Sequence, residues 1–290
     1  MPLHLIKPTA AHIPALARIC FEAFGTLHDR HAIEKDFDSI ETSEMLMGMF
    51  VSRPDMFGVA AQVDGAIVGS NFLQLSDAVA AVGPISVSPG TQASGVGKSL
   101  MIAVLDEARK RGVQQVRLQQ EAVNTVSLSL YTKLGFDWRE ACALMRTTDV
   151  GALTPSRGGI VRPLTINDLP AIQRVSTHHY HSSRHNECEI MLRGGFPAVA
   201  LERDGIVTGY FIPGFLGHGF AQSPDDLACL IGAAMQRAPL PFHKILVPLG
   251  QQELYRTLMS RGARAIKLFN YMTVGPYTPP LGAWLPSVGC

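Results

Sequence analysis

The feature that most restricts the fold of this chain is that two short patterns occur twice, in the same order. Leu-Ile-Lys-Pro-Thr at 5–9 reappears as Ile-Val-Arg-Pro-Leu-Thr at 160–165, and an amphipathic helical pattern follows each copy. Val59–Gly65 and Val199–Gly205 both end in Asp-Gly between two apolar runs, which is a strong signal for a β-hairpin. Two matches in register predict a duplicated domain.

The repeat sets the domain boundaries that we predict. Residues 1–148 form an N-terminal domain, residues 149–159 a linker rich in Gly, Thr, Pro and Ser, and residues 160–275 a second domain. The Pro-rich tail 276–290 is expected to lie as a strap across a surface. A chain of 290 residues is long enough for two domains of roughly 140 residues each.

Composition excludes several classes of protein. The chain has 25 Lys and Arg against 24 Asp and Glu, without a long run of either sign, so neither a nucleic-acid surface nor an acidic tail is indicated. No uninterrupted apolar run is long enough for a membrane span, and residues 1–14 lack the apolar core of a signal peptide. The five scattered cysteines form no C-x-x-C pair, which suits a reducing compartment. We therefore expect a cytoplasmic protein.

A glycine-rich turn between a strand and a helix carries the strongest chemical signal. Ala80–Val87 is an apolar strand pattern that ends at Ser-Pro-Gly, and a helix with apolar residues at helical spacing begins near Val96. Between them lies the turn Gln92–Ser99. Backbone N–H groups and the dipole at a helix start favour an anion, and glycines let phosphate oxygens approach the backbone. The residues alone predict a phosphate or pyrophosphate site here.

Two nucleotide motifs fail at this turn. Gly97, Lys98 and Ser99 match the end of a triphosphate P-loop, but Gln92 stands where its first glycine belongs. A dinucleotide fingerprint that starts at Gly95 fails because Leu100 stands where its third glycine belongs.

Two motifs together resemble the GNAT superfamily of N-acetyltransferases. Gln-x-x-Gly-x-Gly at 92–97 resembles the family signature Gln/Arg-x-x-Gly-x-Gly/Ala. Asn-x-x-Ser-x-x-Leu-Tyr-x-Lys-x-Gly-Phe at 124–136 resembles the family's second element, which usually has Ala where Ser127 stands. Ala93 and Ser94 occupy positions where the family tends to have Gly, Arg or Lys. The resemblance covers residues 3 to about 147.

The resemblance implies an α/β fold of two tandem GNAT-like domains, each a mostly antiparallel mixed sheet flanked by helices. It implies acetyl-CoA as the acyl donor, with the pantetheine arm in a gap between the fourth and fifth strands. The arm would pair with the backbone of Ile85–Val87 and with Asn124, and Lys98 or Lys133 would meet the 3′-phosphate. The implied cofactor-binding residues are Ile85, Ser86, Val87, Gln92, Ala93, Ser94, Gly95, Val96, Gly97, Lys98, Ser99, Asn124, Ser127, Tyr131 and Lys133.

The family mechanism needs an acid for the departing thiolate and a base for the amine. The resemblance implies that Tyr131 is the acid. The alternative interpretation is that Tyr131 only packs between helix and sheet. For the base, Glu121 is the first candidate, and Glu22, His28 and Asp29 are alternatives. A water chain to bulk solvent is a further alternative.

The second half lacks the signature. No Gln-x-x-Gly-x-Gly precedes its corresponding helix, and Pro224, Asp225 and Asp226 place negative charge in the first turn, where a phosphate is disfavoured. Leu258 stands where Tyr131 stands in the first half, although Tyr255 lies one turn earlier. We interpret the second domain as a degenerate repeat that shapes the acceptor pocket or a dimer.

A cluster of histidines in the second half is a candidate metal site. A zinc ion there would need Glu187 or Cys188 as a further ligand, and no H-E-x-x-H motif is present, so no metal is predicted. The histidines are His178, His179, His181 and His185.

The sequence therefore predicts an acetyl-CoA-dependent N-acetyltransferase that acts by direct attack of a primary amine. The acceptor is a small-molecule amine or a peptide N-terminus, a homodimer is compatible with the sequence, and neither nucleic acid nor membrane is an expected partner. The alternative is a non-catalytic acyl-CoA sensor or scaffold built from two repeats.

Overall fold

The computed structural model describes residues 2–91, 95–147, 150, 151, 155 and 158–288. The chain forms two compact units. Unit 1 contains the chain up to Asp137 together with Met272–Gly275, and unit 2 contains Trp138–Tyr271 and the segment from Pro276 onward. The boundaries at 148 and 160 stay predictions, and much of the predicted linker lies outside the described residues.

Unit 1 contains both strands and helices. In chain order its elements are β1 (Leu3–Ile6), α1 (Ile13–His31), α2 (Ile40–Ser52), β2 (Met56–Val63), β3 (Ala66–Gln74), β4 (Val79–Val82), β5 (Ser86–Val87), α3 (Val96–Lys110), β6 (Gln115–Glu121) and α4 (Thr125–Lys133). Strands β1, β2, β3, β4 and β6 lie side by side in that order. All of these pairs are antiparallel except β4 with β6, which is parallel.

Helices cover unit 1's sheet with two apolar clusters. One cluster joins α3 to the apolar residues of β2, β4 and β6, including Val116 and Leu118. The other joins α1 and α2 to Ala60 and Phe72. The helical periodicity of α3 is confirmed, because the predicted core residues Val96, Leu100, Met101, Val104, Leu105 and Ala108 are all buried.

The strand predicted over Ala80–Val87 is wrong as a single strand. The structure divides it into β4 and β5, with Gly83 and Pro84 between them. Gly83 has φ +136, and Pro84 has no backbone N–H to donate, so neither residue continues the ladder. The division matters for function because β4 and β5 have different neighbours.

Unit 2 contains nearly all of β7 (Asp137–Arg146). The elements that follow are β8 (Ile160–Pro163), α5 (Leu169–Tyr180), α6 (His185–Arg193), β9 (Val199–Arg203), β10 (Ile206–Ile212), β11 (His218–Ala221), α7 (Pro224–Met235), β12 (Lys244–Pro248), α8 (Gln252–Ser260), β13 (Arg264–Val274) and β14 (Ala283–Leu285). Strands β14, β11, β10, β9 and β8 form an antiparallel sheet in that order, and β7 pairs antiparallel with β12. Both units thus have the predicted mixed α/β architecture.

The repeated patterns fold as predicted. Asp64 and Gly65 turn from β2 to β3 with φ of +48 and +82, and Asp204 and Gly205 turn from β9 to β10 with φ of +50 and +75. Positive φ at both central residues is the signature of the tight hairpin turn that Asp-Gly favours. Two matched hairpins at matched places support the duplication.

The expectation that the C-terminal tail is a surface strap is wrong. Its strand β14 pairs with β11, and Ala283, Trp284 and Leu285 are all buried. The apolar Ala-Trp-Leu sequence within the Pro-rich segment explains the difference, since burial of these side chains favours a place in the sheet.

Among the described helices, none is long and apolar enough to cross a membrane. Cys20, Cys142, Cys188 and Cys229 are buried and belong to no disulfide bond.

Candidate active site

A gap opens in the sheet of unit 1 where β4 gives way to β5. Strands β4 and β6 pair in parallel from Val79 with Gln115 to Ala81 with Arg117. Farther along the chain, β5 also pairs with β3, through Val87 with Gly69, but the described pairings do not join β5 to β6. On this side the second half of β6, which ends at Glu121, therefore borders a gap.

The N-terminus of α3 follows directly after β5 and the turn. Gly95 is the N-cap residue, with a left-handed φ of +86 and no side-chain cap. A residue with a Cβ is strained at this φ, which is why the turn needs glycine here. Because no side chain caps the first turn, its backbone N–H groups remain available for an anion. Gln92, Ala93 and Ser94 lie outside the described residues.

Asn124 begins α4 at the end of the same gap. Its side-chain oxygen accepts a hydrogen bond from the backbone N–H of Ser127 at 3.1 Å, as an N-cap does. Gln120 donates to the backbone carbonyl of Asn124 at 2.7 Å and so fixes the turn from β6 into α4. The capping bond uses the amide oxygen of Asn124, so a ligand contact would use its amide nitrogen.

A buried histidine–carboxylate pair lies at the end of β6. The Nε2 atom of His28 is 3.0 Å from both carboxylate oxygens of Glu121, and these side chains are 1% and 5% exposed. Asp36 Oδ2 is 3.7 Å from the same nitrogen. Of the four base candidates from the sequence, the structure brings His28 and Glu121 together. Glu22 and Asp29 are exposed, and Asp29 pairs with Lys35.

Sequence reasoning missed two features of this site. It gave no sign that His28 meets Glu121, since 93 positions separate them and their approach depends on the packing of α1 against the sheet. It also overlooked Arg117, which is buried on the same face of β6 as Glu121 and donates to Gln115 at 2.7 Å. The alternation of apolar and polar residues along 115–121 was the available signal.

Comparisons with known proteins agree with this geometry. A profile of the Acetyltransferase (GNAT) family matches residues 16–136. The chain therefore carries a GNAT acetyltransferase domain. This domain contains β4, β5 and β6, which border the gap, and the helices α3 and α4, whose N-termini lie beside it.

One curated relative is the mycothiol acetyltransferase of Saccharomonospora viridis, which is 34% identical over 92 residues, covering 29% of this chain and 30% of the relative. The chain matches only about a third of the length of such relatives. A crystal structure from Pyrococcus horikoshii, described as an acetyltransferase, has a TM-score of 0.78 at 15% identity and covers 99% of this chain and 95% of its own. A GCN5-related N-acetyltransferase from Sphaerobacter thermophilus has a TM-score of 0.65 at 14% identity, covering 96% and 97%. These structures share the fold of the whole chain.

The GNAT family uses acetyl-CoA, and the residues of this domain fit that cofactor. The uncapped start of α3 suits a phosphate. A Cβ at Gly97 would lie 3.7 Å from Leu130 and 3.8 Å from Val87, so the backbone of Gly97 lies close to both of these side chains. Lys98 and Lys133 are exposed, as contacts to a 3′-phosphate require. Ser86 is buried, whereas Ile85 and Val87 are half-buried along the gap.

Tyr131 lies on α4 inside the core beside Phe136, with ring centroids 6.1 Å apart. Burial raises the pKa of Tyr131 to about 12, and a hydrogen bond with Ser127 opposes the rise. Its phenol is therefore protonated at neutral pH, which a proton donor requires. The packing role weighed from the sequence is also present, since Tyr131 is only 6% exposed.

The histidines of unit 2 do not converge on a metal. Within the described part of the chain, the group whose donor atoms lie close enough for a metal is His28, Asp36 and Glu121. Glu187 instead bonds Arg184 and Ser287, and Cys188 faces His218. His179 stacks on Phe220, and burial lowers the pKa of His179 to about 4.

Proposed function

We propose that unit 1 transfers an acetyl group from acetyl-CoA to a primary amine. The observation that carries the proposal is the buried pair of His28 and Glu121 at the end of β6, the strand that borders the gap. An acyl donor in the gap and an amine beside this pair would meet at one strand end. The acceptor is proposed to be a small-molecule amine or a peptide N-terminus.

The pair supplies the base. An amine is protonated near neutral pH and cannot attack a carbonyl until it loses a proton. Glu121, hydrogen-bonded to His28 Nε2 at 3.0 Å, accepts that proton directly or through the imidazole. Because both groups are buried, water competes less for them, and their electrostatic interaction is stronger than at the surface.

Tyr131 serves the other side of the reaction. Acetyl-CoA supplies an activated thioester, whose thiol has a pKa of about 8.5 when it departs. A phenol with a pKa of about 12 is a weak net acid towards such a thiolate, so Tyr131 chiefly donates a hydrogen bond as the C–S bond breaks. The base takes one proton from the ammonium before the attack. The nitrogen then forms its bond to the acetyl carbon, the C–S bond breaks, and a second proton from the nitrogen passes to the departing thiolate.

The test combines binding and turnover. Acetyl-CoA is titrated by calorimetry, and thiol release is then measured with a panel of primary amines for the unmodified chain, Glu121→Gln and Glu22→Gln. We expect one bound acetyl-CoA, turnover with at least one amine, and about a 100-fold loss of kcat for Glu121→Gln with unchanged acetyl-CoA affinity. Glu22 is exposed on α1, so its variant controls for loss of charge.

Binding without turnover on any amine would favour the sensor or scaffold alternative. Full activity in Glu121→Gln would remove the base assignment. Absence of acetyl-CoA binding would overturn the proposal.

A further inference from the structure

We infer that His28, Asp36 and Glu121 form a binding site for one Zn²⁺ ion. The three residues come from three separate segments: α1, the connection between α1 and α2, and β6. Each offers one donor atom, and these atoms all lie within 4.8 Å of one another. Nothing in the acetyl-transfer chemistry requires Asp36 to stand there.

The spacing of the donor atoms suits a tetrahedral ion. Zinc binds imidazole nitrogen and carboxylate oxygen at about 2.0–2.2 Å, which places two ligand atoms of a tetrahedron about 3.3–3.6 Å apart. His28 Nε2 is 3.0 Å from Glu121 Oε1 and 3.7 Å from Asp36 Oδ2. Shifts of a few tenths of an ångström would bring these two separations into range, and the third pair, Asp36 with Glu121, lies within 4.8 Å and closes on the ion.

The ligand chemistry favours zinc over the alkaline-earth ions. Magnesium and calcium take oxygen ligands, whereas an imidazole with carboxylates suits zinc and its neighbours in the first transition row. Three protein ligands leave a fourth position for water, as in zinc sites that are open to solvent.

Burial makes the site selective and still reachable. His28 and Glu121 are 1% and 5% exposed, so packing of α1 against β6 holds them in place before an ion arrives. Asp36 is 30% exposed and gives the ion a way in from solvent. A preorganised pair with one accessible ligand binds an ion with little ordering cost.

Zinc binding has a consequence that rests on the proposed function. A bound ion displaces the proton that His28 Nε2 donates to Glu121 and coordinates both groups, so neither can accept the amine's proton. Zinc is therefore expected to inhibit acetyl transfer without changing acetyl-CoA affinity. Asp36 lies 3.7 Å from His28 Nε2 but is not one of the two groups proposed to accept the proton, so a zinc titration without substrate measures its role as a ligand separately from any effect on catalysis.

Calorimetric titration of ZnCl₂ into the untagged, metal-free chain tests the site without any substrate. We expect one tight site whose affinity falls at least about tenfold in Asp36→Asn, since loss of a direct ligand costs no less than loss of an outer-shell partner. Asp29→Asn is the matched control, because Asp29 is an exposed carboxylate on α1 that pairs with Lys35 at 2.9 Å. His178→Gln/His181→Gln controls for binding at the exposed histidines of unit 2.

Inhibition supplies the second readout. Zinc should inhibit the unmodified chain and Asp29→Asn alike, while Asp36→Asn should need at least about tenfold more zinc for half-inhibition of its own zinc-free rate. Equal zinc affinity in Asp36→Asn and Asp29→Asn would overturn the inference, as would loss of the site in the double histidine variant. If the chain acetylates no amine, the titration still decides the zinc site, so the two proposals fail separately.

Discussion

The N-termini of α3 and α7 occupy matching places in the two units, and they differ in the features that bind an anion. After the Asp-Gly hairpin, β4 and β5 precede α3 in unit 1, and β11 precedes α7 in unit 2. In unit 1 the N-cap is Gly95, without a side-chain cap and without an acidic residue in the first turn. In unit 2 the N-cap Ser223 accepts from the backbone N–H of Asp226 at 3.3 Å. The side chain of Ser223 thus supplies an acceptor for a backbone N–H group at the start of α7.

Charge strengthens the difference. Asp225 and Asp226 lie in the first turn of α7, where a carboxylate is favoured by the helix dipole. Asp226 is buried and pairs with Arg203 at 2.7 Å, so the negative charge at this terminus comes from the chain itself. A phosphate at α7 would meet two carboxylates, whereas at α3 it would meet backbone N–H groups and the exposed Lys98.

The gap differs in the same way. In unit 2, β14 pairs with β11 on the side away from β10. Gln251, which precedes Gly262 by the same spacing that separates Asn124 from Gly135, bonds both the N–H and the carbonyl of Trp284 in β14. In unit 2, β14 therefore occupies the place beside β11 that corresponds to the gap in unit 1. This difference supports the proposal that acetyl-CoA binds to unit 1 alone.

The largest effect expected from this comparison is on acetyl-CoA binding. Gly97→Glu places a carboxylate at the start of α3, where two like charges about 4 Å apart repel by about 4 kcal/mol at an effective dielectric of about 20. We expect at least a 100-fold loss of affinity by calorimetry. Gly97, unlike Gly95, has no positive φ, so the variant should keep the fold.

Gln222→Glu is the matched control in unit 2, because Gln222 is exposed just before α7. Its affinity should equal that of the unmodified chain, with one acetyl-CoA per chain. A second binding site, or a site lost in Gln222→Glu, would break the comparison.

The next largest effect concerns turnover. Tyr131→Phe should lower kcat by about 100-fold, because the departing thiolate loses its hydrogen-bond donor, while acetyl-CoA affinity stays the same. Tyr255→Phe is the matched change in unit 2, one turn before Leu258, which stands at the position of Tyr131. It should leave kcat unchanged. Equal rates for both variants would assign Tyr131 to packing alone.

Local patterns in the sequence were enough to predict the hairpins, the α3 core face and the Asn124 cap. Each depends on residues within a few positions of one another: Asp-Gly for the turn, apolar residues at helical spacing for α3, and an Asn before a helix for the cap. The duplication was predictable because the same local patterns recur in order. The resemblance to the GNAT family added the cofactor and the position of the gap.

Features that depend on distant residues were not predictable. His28 and Glu121 meet only when α1 packs on the sheet. Strand β14 pairs with β11, although it lies in a proline-rich segment whose sequence predicts no strand. Gly83 and Pro84 interrupt the strand between β4 and β5, although they lie within an apolar run that predicts one continuous strand. In each case tertiary packing, which no single-segment pattern contains, decided the outcome.

A smaller effect distinguishes the two N-cap residues. Asn124→Ser keeps an oxygen for the cap of α4 but removes the amide donor, so acetyl-CoA affinity should fall about tenfold while stability changes little. Gln251→Ser removes both bonds to Trp284 and should leave affinity unchanged while lowering the free energy of unfolding by about 1–2 kcal/mol. Calorimetry and urea unfolding measure the two quantities. If Gln251→Ser weakened acetyl-CoA binding instead, the two positions would not be functionally distinct.

The smallest effect compares the buried histidines. His28 in unit 1 faces two carboxylates, whereas His218 in unit 2 bonds Tyr210 at 3.1 Å, and burial together with Arg184 lowers the pKa of His218 to about 3. An unfolded chain protonates this imidazole below about pH 6.5 and the folded chain does not, so the unfolded state binds more protons and stability falls as the pH is lowered.

This contribution is at most about 1.4 kcal/mol per pH unit and should appear between pH 6.5 and 5, before the carboxyl groups titrate. Both tryptophans, Trp138 and Trp284, belong to unit 2, so their fluorescence in urea follows the unfolding of that unit. His218→Gln should flatten the pH dependence of the unfolding midpoint, while the exposed His178→Gln should not. An unchanged slope in His218→Gln would mean that burial does not hold His218 neutral. The structural role of His218 would then no longer contrast with the catalytic role proposed for His28.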